Sequence, residues 1–123
     1  MSVNTPTPST KSVKSSVELS PSDATATQLE NALRLVGDKY SLQIIYLLLK
    51  YEAQRFVELE NAIQGISPRT LSARLKHLEF HGLITRKAYP TIPPKVEYRA
   101  TAKGQALMTS IKSLAEWSLI EAV

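Results

Sequence analysis

Gly65-Ile66-Ser67-Pro68-Arg69-Thr70-Leu71-Ser72-Ala73-Arg74-Leu75-Lys76-His77-Leu78-Glu79-Phe80-His81-Gly82 holds the start, the buried stripe and the stop of one helix. Ser67 is a ready N-cap, and Pro68 follows at the first helical position, where its missing N–H is harmless. Leu71, Leu75 and Leu78 recur at i, i+4 and i+7 and make one apolar stripe. Gly82 supplies the stop. At roughly 100° per residue, Arg69, Ala73, Lys76 and His77 point furthest from the stripe, with Thr70 and Ser72 at its flanks.

The first turn of this helix breaks a rule. The positive end of a helix dipole favours acids, yet Arg69 stands there and no acid precedes Glu79. A basic start weakens an isolated helix but suits a helix end that meets phosphate. The helix alone leaves an ordinary solvated face equally open.

Upstream, Gln64-Gly65-Ile66 reads as a short turn out of a helix over Arg55–Ile63 with Phe56, Leu59 and Ile63 inward. Two helices joined this way form a helix-turn-helix. Downstream the period changes. Leu83–Tyr89 and Lys95–Ala100 read as strands, separated by Pro90-Thr91-Ile92-Pro93-Pro94, whose prolines bar it from a sheet. The expected fold is mainly α with a small antiparallel β-hairpin, a winged helix-turn-helix. Its recognition helix spans about 67–82 and its wing about 84–99.

Two further helices precede this unit. Thr27-Gln28-Leu29-Glu30 reads as a capping box opening a helix that stops at Gly37. The next starts near Asp38 or Ser41, runs to about Tyr51, and is apolar almost all round, so it should be central to the core. Residues 1–26 hold seven Ser, four Thr and three Pro and read as a flexible arm, leaving 27–123 as the domain. Thr101 should cap a last helix of about twenty residues. Leu107, Met108, Ile111, Leu114, Ala115, Trp117, Leu119 and Ile120 cover more than one of its faces. Either it folds back wholly onto its own core or it pairs with a second copy. The second is the favoured reading, with Leu29, Leu33, Met108, Ile111, Leu114, Trp117, Leu119 and Ile120 in the dimer interface.

Charge points the same way. Between Ser67 and Arg99 there are seven bases and two acids, while the rest of the chain holds eight bases and nine acids. The net +4 therefore sits in one third of the sequence, as in a nucleic-acid footprint. The 123 residues contain no Cys, which excludes disulfides, thiolate metal sites and thiol nucleophiles. His77 and His81 are spaced i, i+4 but lack a third ligand, so neither a metal nor any other cofactor is expected. No catalytic triad, phosphate loop or zinc signature is present, and an enzyme is not expected.

From about Leu29 to Trp117 the chain resembles the HxlR family of bacterial transcription regulators, a branch of the MarR-like winged-helix proteins. The likeness rests on Gly37-Asp38-Lys39-Tyr40-Ser41-Leu42, Arg55-Phe56-Val57-Glu58-Leu59, Gly65-Ile66-Ser67, Leu71-Ser72-Ala73-Arg74-Leu75 and Leu78-Glu79. It continues through Gly82-Leu83-Ile84-Thr85-Arg86, the run Tyr89–Tyr98 and Thr101-Ala102-Lys103-Gly104. Tyr40, Asp38 and Ala100 depart from the usual Trp, Gly and Leu. The resemblance implies a homodimer paired through its N- and C-terminal helices. It also implies a helix from Ser67 in the major groove and a hairpin on the neighbouring backbone or minor groove. Relatives that sense oxidants carry a Cys ahead of the first helix; this chain has none, which excludes that sensing.

The expected function is transcription regulation by a homodimer on double-stranded, palindromic operator DNA, in a bacterial-type cytoplasm and with no membrane partner. A winged helix used for protein or RNA contact is the alternative. Arg69 and Lys76 are first choices for bases, and Thr70, Ser72 and His77 for bases or phosphates, with Ala73 among them on the outward face. Ser67 suits a phosphate, as do Arg86, Lys87 and Lys95 on the wing. Arg74 is equally suited to an ion pair with Glu58, Glu60 or Glu79. Tyr89 and Tyr98 are expected in wing packing. An unnamed small apolar effector would sit between the dimer helices and the winged domain.

Overall fold

The computed structural model describes residues 23–121, in the order α1 (Ala24–Val36), α2 (Ser41–Tyr51), β1 (Ala53–Gln54), α3 (Phe56–Ala62), α4 (Pro68–Phe80), β2 (Ile84–Tyr89), β3 (Lys95–Ala100), α5 (Ala102–Gln105) and α6 (Met108–Glu121). Residues 1–22 of the expected arm lie outside the described residues. Contacts divide the chain after Ala32. Up to that point, α1 starts three residues before the expected capping box. Asp23 Oδ1 accepts the N–H groups of Thr25 (2.7 Å) and Ala26 (3.2 Å), so the stronger N-cap wins and Thr27 lies inside the helix.

From Leu33 onward the core is assembled around α2. Ile44, Ile45 and Leu48 are buried, together with Leu59 and Ile63 after the turn and Leu71, Leu75 and Leu78 from α4. Asp38 sets the start of α2: its carboxylate accepts the N–H groups of Tyr40 and Ser41, both at 3.0 Å, and the Ser41 hydroxyl. The helix ends at Glu52, whose φ of 72° belongs to glycine's territory. That turn redirects the chain into β1.

β1 makes the sheet three-stranded, in the order β1-β3-β2, where a two-stranded hairpin was expected. Ala53 pairs with Arg99 and Gln54 with Tyr98. A two-residue strand of Ala and Gln offers no alternation and little β-propensity to read. β2 and β3 pair antiparallel from Ile84↔Ala100 to Tyr89↔Lys95, leaving the expected five-residue proline loop as the tip.

The stops and starts around α4 are local and follow the residues. Gly82 has φ 75°, and the bonds Leu83 N–H to Leu78 O (2.9 Å) and Gly82 N–H to Glu79 O (3.0 Å) close the helix as a Schellman turn. The expected single C-terminal helix is instead two pieces. Thr101 does cap, accepting the Gly104 N–H, but Leu107 N–H turns to Gly104 O (3.1 Å), a tightened bond that breaks the helix at Ala106–Leu107. Gly104 is needed because a Cβ there would lie 2.3 Å from the Leu83 carbonyl oxygen. α6 packs its start on α2, with Ile111 half-buried against the core, while Leu114, Trp117, Leu119 and Ile120 stay exposed. No helix among the described residues is long and apolar enough to cross a membrane.

Candidate nucleic-acid interface

At the start of α4, Ser67 has extended backbone angles and its Oγ accepts the Thr70 N–H at 3.1 Å. The same hydroxyl donates to Thr70 Oγ1 at 3.0 Å. Both polar side chains are thus occupied locally, and they hold the first turn in shape. No acid lies in that turn, so the positive end of the helix is uncompensated.

Along the helix, Arg69, Ala73 and Lys76 are exposed, and Thr70, Ser72, Arg74 and His77 are half-buried. His77 stands apart from the other residues named for contact: its Nε2 lies 2.9 Å from the Leu35 carbonyl oxygen. The ring therefore ties α4 to the end of α1. Arg74 sits beside it and pairs with Asp38 at 3.3 Å, a partner other than the glutamates considered from sequence. Partial burial pushes the Asp38 carboxyl up. Hydrogen bonds from Ser41 and from the Tyr40 and Ser41 backbone, with the Arg74 charge, outweigh this and hold it below its ordinary value. One side of α4 is thus pinned to the Leu35–Ser41 corner and the other is left open.

The wing sorts its cations by face. Pairing Arg86 with Tyr98 puts both on the side facing α4, where Ser72, Lys76, Glu79 and Arg86 line a cleft of about 330 Å³. Lys87 pairs with Glu97 and Tyr89 with Lys95, on the opposite side of the ribbon. There Glu97 organises the surface. It accepts the Tyr89 hydroxyl (3.1 Å) and pairs with Lys95 (3.2 Å) and Arg99 (3.7 Å). The Lys95 ammonium, then Tyr89 and Arg99, hold the Glu97 carboxyl below the usual carboxylate range. The Tyr89 ring lies between two ammonium groups, Lys87 at 4.9 Å and Lys95 at 5.1 Å from its centroid. Tyr98 is buried in the core beneath.

Arg69, Lys76, Arg86 and Lys87 have no ion-pair partner among the described residues, while Arg74, Lys95 and Arg99 do. Glu97 and the Asp38–Arg74 pair were not foreseen as organisers. The signal for Glu97 was available: Lys95, Glu97 and Arg99 alternate along one strand and so share a face. Among the described residues no group of three or more His, Asp or Glu could hold a metal ion.

Residues 35–121 match the family model described as HxlR-like helix-turn-helix. The uncharacterized HTH-type transcriptional regulator BH0655 of Halalkalibacterium halodurans is 46% identical over 87 residues, covering 71% of this chain and 77% of that protein. YvaP of Bacillus subtilis, also an uncharacterized HTH-type transcriptional regulator, is 35% identical over 91 residues, covering 74% and 83%. Among solved structures, one described as a MarR-family transcriptional regulator from Enterococcus faecalis V583 superposes with a TM-score of 0.71 at 31% identity. The match covers 85% of this chain and 94% of that one. The reduced form of the regulator YodB from B. subtilis gives 0.67 at 32% identity, covering 82% and 92%.

Proposed function

Since this chain belongs to the HxlR-like helix-turn-helix family, we propose that it is a transcription regulator binding double-stranded, palindromic operator DNA as a homodimer. The observation that carries the reading is the set of four cations, Arg69, Lys76, Arg86 and Lys87, on α4 and the wing, that have no ion-pair partner among the described residues. Unpaired bases clustered on one part of a protein repel one another, and a phosphate backbone relieves that repulsion. α4 enters the major groove by its exposed edge. Arg69 and Lys76 reach base edges there, and Ala73 between them is small enough to let the backbone approach. Arg86 and Lys87 take phosphates on the two sides of the ribbon. His77 and Arg74 position the helix and leave the reading to others. Lys95, held by Glu97, is the weakest of the wing contacts.

The exposed apolar side chains of the terminal helices support the dimer. Leu33 is 56% exposed, Trp117 53%, Leu119 73% and Ile120 67%. Leu29 and Leu114 are also exposed, and Met108 and Ile111 half-buried. Side chains of this size in water favour a second copy. A cavity of about 930 Å³ lined by Leu42, Tyr46, Leu47, Ile111, Leu114 and Ala115 has the volume and lining for a small apolar effector.

Fluorescence anisotropy on a duplex from upstream of the chain's own gene, titrated at several salt concentrations, tests this. Three phosphate contacts per copy give a slope of log affinity on log salt of roughly −5. Tight binding to single-stranded RNA with no duplex binding would favour the alternative use of the fold.

A further inference from the structure

The wing tip carries an unusual side chain for a surface that meets phosphate. Ile92 is 100% exposed, the fullest exposure of any large apolar residue described. Its loop neighbours are Pro90, Pro93 and Pro94, which have no N–H to donate. Thr91, the remaining loop residue, turns its hydroxyl inward to the Pro93 carbonyl at 2.9 Å. The tip therefore presents no charged group and no free side-chain donor, only a branched hydrocarbon on a stiffened turn. Behind it, at the first strand pair, Tyr89 and Lys95 close the ribbon, and Lys87 and Lys95 flank the tyrosine ring. An apolar point is thus mounted on a collar of net positive charge, in which Glu97 pairs with Lys95 and leaves Lys87 without an ion-pair partner among the described residues.

Reach decides what such a point can touch. From Ile84 to Tyr89 the ribbon extends about 17 Å at the usual strand rise. Half a turn of duplex, the step from the centre of a major groove to the adjacent minor groove, is also about 17 Å. With α4 in the major groove, a ribbon of this length is long enough to carry its tip as far as the adjacent minor groove.

Resting on the operator-binding reading above, we infer that Ile92 is a wedge that enters the minor groove beside each half-site and partly unstacks one base step. Hydrocarbon cannot read hydrogen-bond patterns, so selectivity at that step comes from deformability. Flexible TA and CA/TG steps open at the least expense and are preferred. The rigid proline turn suits this task, because a flexible tip would give way before the bases did.

The test uses the full chain and the duplex it selects from a random pool, with 2-aminopurine placed in turn at each step flanking the half-sites. The expected result is a fluorescence rise on binding at one flanking step per half-site, absent with Ile92→Ala and retained with Ile92→Met. Ile92→Ala should also bind about fivefold more weakly with an unchanged salt slope, since no charge is removed. Its thermal melt should match that of the wild type, because the side chain touches no core. Binding with no fluorescence rise at any flanking step, or an Ile92→Ala variant with full affinity and full signal, overturns the wedge and leaves operator binding intact. Failure of the wild type to select any duplex overturns the parent reading, and the wedge with it.

Discussion

Single side chains around α4 divide into those that hold the helix and those that face outward. Arg69 is exposed and has no ion-pair partner among the described residues, whereas Arg74 five residues on is pinned to Asp38. Both are arginines on one helix, and burial and partner tell them apart. Arg69→Ala should relax base preference at one position per half-site and weaken operator binding by about 1–3 kcal/mol. Lys87→Ala should weaken every duplex alike and reduce the salt slope by about 1 per site. Titrations on operator and random duplex, at two salt concentrations, separate the two roles; equal losses on both duplexes for both variants would contradict them.

Asp38 permits a pH prediction. Its carboxyl is held low in the folded chain, so folding favours the ionised form. The stability it contributes is complete above the ordinary carboxylate value and is lost as pH falls through the lowered one. Asp38→Ala should cost about 1–2 kcal/mol at neutral pH through the lost α2 cap. The gap from wild type should close as the solution is acidified, which urea melts from pH 7 to pH 2 would show. A gap that stays constant would contradict the role.

At the level of elements, legibility followed distance along the chain. The ends of α4 were readable because Ser67, Pro68 and Gly82 act within one turn of themselves. The strand span Lys95–Ala100 was readable from its β-branched and aromatic residues. β1 was not, because Ala53 and Gln54 become a strand only by finding Tyr98 and Arg99, some forty-five residues away. The need for glycine at 104 comes from its close approach to the Leu83 carbonyl, another long-range fact. His77 was placed outward on periodicity alone, and its bond to Leu35 spans 42 residues. Periodicity gives the angle of a side chain about its helix and says nothing of which neighbour waits there.

Glu52 gives the elements their own test. It holds a positive φ without glycine's freedom, to turn α2 into β1. Glu52→Gly should raise stability by about 1 kcal/mol, since relief of the strained backbone exceeds the cost of the extra conformational freedom that glycine gives the unfolded chain. An unchanged or lower midpoint in urea would show that the Glu52 side chain contributes more than its backbone conformation costs.

Across the whole molecule, the proposed reading of a palindromic operator requires two copies. Trp117 and Leu114 are each 53% exposed in the single chain. Trp117→Glu should give a monomer by sedimentation velocity, with the winged domain still folded by circular dichroism, and weaken operator binding at least tenfold by removing the second half-site contact. A Trp117→Glu variant that sediments as a dimer would move the interface elsewhere.

The most direct measurement is selection of bound duplexes from a random pool by the purified chain. Two copies of α4 set side by side should enrich an inverted repeat whose half-site centres lie about 10 base pairs apart, or a multiple of that. Enrichment of no sequence, or of a single asymmetric site, would contradict two-fold reading by this helix.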